Sequence, residues 1–207
     1  MHLLKLISIY VSAIIICSLL FAISLSPIFI FLILFTFVFS FTVLPYFNII
    51  HWTKDIKKVD HFLQNNRRKL LFDYSYAVAH ESKDFQRALL EKIIALTKHP
   101  NDLHNYRALL AILDNDYDRA LSEAMQIKDY DLRHYTMAQA EILRGHFDEA
   151  LRLRDTLKKP WMTHALDAKI AYESCLFDDY KMNSTLAINR SRGLQRYMLS
   201  HSFRQYI

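Results

Sequence analysis

The chain has 207 residues, 52% of them hydrophobic, a formal net charge of +5, and only two glycines and two cysteines. Phosphate-cradling loops and nucleophile elbows need glycine where the backbone approaches closely, so Gly145 and Gly193 standing alone exclude them. Two cysteines cannot build a disulfide framework, and a modest positive charge without a nucleic-acid motif demands no nucleic-acid partner.

From Leu6 to Ile50 no side chain carries a charge, and Pro27 divides this run into two lengths. About 20 apolar residues at a rise of about 1.5 Å cross the roughly 30 Å hydrocarbon layer. Leu6–Leu25 and Ile28–Ile49 both qualify, with a turn expected at Ser24, Ser26 and Pro27. The leucine, isoleucine, valine and phenylalanine residues of the first stretch favour insertion by several kcal/mol, and serine hydroxyls can bond back to the helix (each apolar residue contributing roughly −0.3 to −0.6 kcal/mol). Phe29, Phe31, Phe35, Phe37, Phe39 and Phe41 fall on every side of the second stretch, which suits a helix surrounded by lipid. Pro45 is expected to bend this helix or mark its exit into the interface.

A retained two-helix hairpin is the reading these residues favour, with a single span plus a re-entrant segment as the alternative. A cleaved secretory signal fits poorly, because the apolar stretch is long and no small-residue cleavage site precedes a polar sequence. A lipoprotein signal fits no better, since Ile16 precedes Cys17 where a small residue is wanted.

Lys54, Lys57, Lys58, Arg67, Arg68 and Lys69 follow the second span, while the connecting loop has no positive charge. Lysine and arginine close to a span are retained on the cytoplasmic side, so both termini are expected there, in the inner or cytoplasmic membrane. The same juxtamembrane segment, residues 51–68 with Lys69, either serves topology alone or also binds anionic lipid headgroups.

Residues 69–189 are helical in period, with no sustained alternation of the kind strands show. Lys83-Asp84-Phe85-Gln86-Arg87-Ala88 recurs as Asn115-Asp116-Tyr117-Asp118-Arg119-Ala120 and as Gly145-His146-Phe147-Asp148-Glu149-Ala150. Each copy reads as a turn into a helix, with an aromatic anchoring the turn and an alanine small enough for two helices to approach. A further unit over Trp161–Ile188 places Tyr180 at the turn and Ala171 in its first helix, with Asn183 where alanine is expected.

These turn-aromatic-alanine motifs resemble the tetratricopeptide repeat, a helix-turn-helix unit of about 34 residues stacked into a superhelix. The family's tryptophan and glycine in the first helix are missing, and an irregular helical bundle is the alternative. With the apolar hairpin before it, the resemblance implies an all-α fold in which the transmembrane hairpin is followed by three to four stacked helical hairpins. It also implies a groove lined by first helices, with Asp73, Asn105, Tyr135, Gln139 and Tyr172 as its partner-binding positions. An ordinary solvated helix face is the competing account of those five. The whole plan is similar to the N-terminal architecture of the HemY family of bacterial inner-membrane proteins.

Ten histidines and many carboxylates raise the question of catalysis, but no His-Glu-x-x-His or Cys-x-x-Cys spacing occurs. No catalytic residue, metal, cofactor or small-molecule substrate is expected. Cys175, between apolar neighbours, is expected to be a buried small hydrophobe. The tail, residues 190–207, reads either as a basic amphipathic helix or as a disordered end weakened by Gly193. The function expected is a membrane-anchored cytoplasmic scaffold that holds a protein partner, itself membrane or envelope associated. The alternatives are a membrane-active small protein regulated by its helical domain, or a non-catalytic subunit of a membrane enzyme.

Overall fold

A computed structural model describes residues 2–22 and 26–204, and these are helical, with no strand among them. Ser24 of the expected turn, and residues 205–207 of the tail, lie outside them. The chain divides into two compact units, Met1–Trp52 and Thr53–Ile207.

In the first unit, α1 (His2–Ala22) packs against α2 (Pro27–Thr42), which continues through α3 (Leu44–Phe47) into a π-helical turn, Asn48–Trp52. Pro27 opens α2 at a position where its missing N–H costs no helical bond. Pro45 has no N–H to give back, and the backbone adjusts by closing α2 at Thr42 and widening to the π turn that follows. Pro27–Trp52 is one apolar helix of 26 residues, long enough to cross a membrane. Within it Ile30 is buried, whereas Phe29, Phe31, Phe35, Phe39 and Phe41 are exposed. Ser18 and Thr42 donate their hydroxyls to the carbonyls of Ile14 and Val38, so neither presents an unmet polar group.

The second unit begins with α4 (Ile56–Asn65), capped by Asp55, whose carboxylate accepts from the backbone of Lys57 and Lys58. Val59 and Leu63 are its buried face. Four helix pairs follow: α5 (Leu70–His80) with α6 (Lys83–Leu96), α7 (Pro100–Leu113) with α8 (Tyr117–Ala124), α9 (Tyr130–Leu143) with α10 (Phe147–Arg154), and α11 (Pro160–Glu173) with α12 (Phe177–Arg190).

The last three pairs obey one frame of thirty residues. Their first helices start at Pro100, Tyr130 and Pro160, and their second helices at Tyr117, Phe147 and Phe177. Between the two helices Asn115, Gly145 and Cys175 each take the left-handed conformation, with φ of 61°, 80° and 59°. At each turn the left-handed residue donates back to the helix (Asn115 to Ile112, Gly145 to Ile142, Cys175 to Tyr172). The next N–H then reaches one residue deeper into the helix, Asp116 to Ala111, His146 to Glu141 and Leu176 to Ala171. This pair of bonds is a Schellman motif, and it satisfies carbonyls that a helix end otherwise leaves open. Ala108, Ala138 and Ala168, again thirty apart, are wholly buried where first and second helices meet.

The frame corrects the sequence reading at both ends. In the last pair Phe177, not Tyr180, is the aromatic at the turn, and Tyr180 occupies the place of Ala120 and Ala150. In the first pair the helices join through Glu81 and Ser82 with no left-handed residue, and Ser82 caps α6. Phe85 is therefore two residues late, Ala88 is exposed, and the buried residue is Gln86, whose amide donates to the carbonyls of Ala77 and Glu81. Cys175 is exposed rather than buried, because it forms the turn.

The tail is a docked helix, α13 (Gly193–Arg204), with Tyr197, Leu199 and Phe203 buried. On one side it meets α12, where the Tyr180 hydroxyl donates to the Phe203 carbonyl. On the other side it meets α4 and α5, so the end of the domain closes on its beginning. Gly193 starts this helix with φ of 54° and donates its N–H to the Thr53 carbonyl at 2.7 Å, a position that uses glycine rather than suffers from it. Asp60 accepts from the Tyr197 hydroxyl at 2.7 Å and pairs with His80 at 2.7 Å, and His201 lies 5.7 Å from the His80 ring. Burial pushes the Asp60 carboxyl up, but the hydrogen bonds from His80 and Tyr197 outweigh it and hold the group below its ordinary value. Burial, helped by Arg204 and His80, holds His201 below its ordinary 6.5.

Three outcomes are expected. Cys175→Gly relieves a left-handed side chain and raises the free energy of unfolding by about 1 kcal/mol, while Gly145→Val lowers it by at least about that much, both read by denaturant melts. Below pH 6.5 the unfolded chain takes up a proton at His201 before the folded domain does, so stability falls as pH drops through that value. Tyr197→Phe removes the bond to Asp60 and costs about 1–2 kcal/mol at neutral pH.

Candidate partner-binding surface and juxtamembrane charges

First helices pack side by side, α7 against α9 and α9 against α11, so residues in the same place in the frame form rows across them. One row is Asn105, Tyr135 and Ala165. The next, one turn along, is Leu109, Gln139 and Lys169. The third is Ile112, Ile142 and Tyr172.

Asn105, Tyr135 and Gln139 thus fall on adjoining rows, each half-buried. The Tyr135 ring meets Trp161 edge-on at 5.4 Å and packs among Ala138, Leu166 and Ala168 of the core. Burial pushes its phenol far up, and a hydrogen bond with Gln139 partly offsets this. Tyr135 is therefore half wall and half surface, with its hydroxyl held by the neighbouring amide. Tyr172 lies a row beyond Gln139, its ring 5.6 Å from that of Tyr180.

Asp73 stands apart in the first turn of α5, outside the thirty-residue frame. Its Oδ1 lies 2.6 Å from Arg67 Nε, and Arg67 Nη2 reaches Glu81 at 3.2 Å while its guanidinium stacks 4.7 Å over Tyr76. This network holds the Arg67 guanidinium above its ordinary value, chiefly through the Asp73 bond. Arg67 is accordingly committed within the domain and Asp73 is neutralised by it. Lys69 stands just before α5 with its ammonium 5.6 Å from the Phe72 ring. Lys54, Lys57, Lys58 and Arg68 are exposed, and Lys58 keeps a loose pair with Asp55 at 3.9 Å. Lys54, Lys57 and Lys58 all lie within six residues of the apolar helix end at Trp52 in the chain.

Three features of this surface escape motif reading. Burial, reinforced by Tyr106, pushes the Tyr74 phenol up to about 12, although the ring is only half-buried. His104, His134 and His164 share one place in the frame: the first pairs with Glu123 at 2.7 Å, the second meets Thr156 at 3.1 Å, and the Nδ1 of the third is buried without a partner. Lys169, level with Gln139, is a half-buried cation whose ammonium burial pulls down to about 8. The histidine row and Lys169 follow from the thirty-residue spacing once its origin is placed on the left-handed turns, whereas Tyr74 lies outside it in α5. Among the described residues no group of three histidines, cysteines or carboxylates could hold a metal ion.

No protein-family model, no curated protein and no solved structure matches this chain.

The Arg67 network makes a direct prediction. Asp73→Asn leaves Arg67 and Glu81 in place but removes the shorter ion pair, and destabilises the domain by about 1–2 kcal/mol, the range for a hydrogen bond to a charged group on a partly exposed pair. The loss is expected to shrink in 1 M salt, which separates charge from shape.

Proposed function

We propose that the protein is a membrane-anchored scaffold that binds a protein partner through a tetratricopeptide-like array of helix pairs. The observation that carries this reading is the strict thirty-residue frame of α7 to α12, with a left-handed turn and a buried alanine at the same place in every pair. Regular stacking of this kind presents rows of side chains from successive helices to one partner, and such rows suit an extended segment or a helix. Asn105, Tyr135 and Gln139 supply hydrogen-bonding and aromatic contact there.

In this reading α1 and α2 are a two-helix anchor with both termini in the cytoplasm, held in orientation by Lys54, Lys57 and Lys58. The exposed phenylalanines of α2 support lipid as its surroundings. Tethering concentrates a weak partner near the bilayer, which makes a shallow recognition surface sufficient.

The test is crosslinking in cells followed by purification through the C-terminus. One stoichiometric protein partner is expected, recovered about fivefold less from Asn105→Ala/Gln139→Ala, a loss of about 1 kcal/mol in a correctly folded domain. A purified chain that turns over a metabolite, with no partner recovered, reverses the reading. A C-terminal reporter active only outside the cytoplasm refutes the orientation.

A further inference from the structure

We propose that Lys169 is the charged anchor of the partner-binding surface, its ammonium pairing with a carboxylate on an acidic protein segment laid across α9 and α11. This rests on the scaffold reading and adds the chemistry of the partner to it.

The placement comes from the frame. With the last turn at Cys175, Lys169 falls level with Gln139 on the neighbouring first helix and one turn before Tyr172. Three other partly buried cations of the domain are answered by carboxylates, Arg67 by Asp73 at 2.6 Å, Arg87 by Asp114 at 2.7 Å and Arg154 by Asp167 at 3.1 Å, while Arg133 lies 5.7 Å from the Tyr130 ring and Arg196 donates to the Ile188 carbonyl. Lys169 has no ion pair or hydrogen bond among the described residues. Its one noted carboxylate influence is Glu173, one turn on and exposed, which offsets its burial only in part.

An ammonium held partly out of water without a counter-charge is a standing cost, and a carboxylate arriving from outside removes it. The neighbouring Gln139 amide and Tyr135 hydroxyl can then bond to the backbone of the same segment. A single lysine without an arginine fork beside it matches one carboxylate oxygen rather than the several oxygens of a phosphate.

The experiment uses the full chain in detergent micelles and two fluorescein-labelled probes, hexaglutamate and hexaglutamine, read by anisotropy at low salt. Hexaglutamate is expected to bind in preference to hexaglutamine, and Lys169→Met to weaken it about tenfold, the loss of one charge-assisted contact. Lys57→Gln/Lys58→Gln leaves it unchanged. Lys169→Met is also expected to melt higher than the parent, since it removes an unanswered charge, and Lys169→Gln replaces it in the assay if the methionine variant loses helicity.

No preference for hexaglutamate overturns the proposal. So does undiminished binding by folded Lys169 variants, or binding lost only in the Lys57/Lys58 variant. If the cellular partner is lost on Asn105→Ala/Gln139→Ala but kept in full by Lys169→Met, the carboxylate contact is refuted and the scaffold reading stands. If no variant of either kind alters partner recovery, the scaffold surface itself is refuted.

Discussion

The polar domain depends on one local constraint, a left-handed residue placed where a first helix must stop and turn back. Asn115, Gly145 and Cys175 meet it in three chemically different ways. Asparagine enters this region at modest cost and glycine at almost none, whereas cysteine has no intrinsic reason to be there. That Cys175 adopts it shows that the paired backbone bonds and the stacking around Ala168 outweigh a local cost of about 1–2 kcal/mol. The turn is thus imposed by the array as much as by its own residue. Once it is in place, α7, α9 and α11 have the same phase, and the rows across them follow.

How much of this was legible in the sequence depends on which residue carried the signal. The apolar helix ending at Trp52 declares itself by composition, because lipid burial needs nothing but length and apolarity. The two central turns are legible because an aromatic and an alanine recur at Tyr117/Ala120 and Phe147/Ala150. The last turn is misread by that same motif. Tyr180 is aromatic and so mimics the turn residue, but it is a large side chain in the alanine place, reaching out to the carbonyl of Phe203. The first pair is misread for the converse reason, since Phe85 and Ala88 copy the motif while Ser82 and Gln86 perform the capping and burial. A motif of side chains is a proxy for a backbone conformation, and it fails where another residue type satisfies the backbone.

The closure of α13 on α4 and α5 has no local signature at all. Tyr197 and Asp60 are 137 residues apart, and nothing about either residue announces the other. Gly193 illustrates the difficulty: as an isolated letter it weakens a helix, yet its freedom of conformation lets the chain turn under Thr53 and begin one. The basic character of the tail is equally deceptive, because Tyr197, Leu199 and Phe203 turn inward and Arg196 folds back onto the Ile188 carbonyl, while Arg192 and Arg204 remain outside. A row of arginines spaced among apolar residues reads alike whether the apolar face meets lipid or its own domain. Only the pairing partners decide.

Closure also bears on how such a domain can recognise anything. An open stack of helix pairs flexes along its length, since each pair touches only its neighbours. Joining the last helix to the first removes that freedom, because opening the stack now requires either breaking the Asp60–Tyr197 bond or parting Phe203 from Tyr180. The rows on α7, α9 and α11 are then held at fixed spacing before any partner arrives, and little ordering cost is left to meet on binding. A rigid surface with few polar groups gains affinity only from groups already in the right place, which is why an unanswered cation carries more weight here than one on a mobile face. The flexible lysines near Trp52 have the opposite character, being exposed and strongly hydrated, and they suit a diffuse field better than a defined contact.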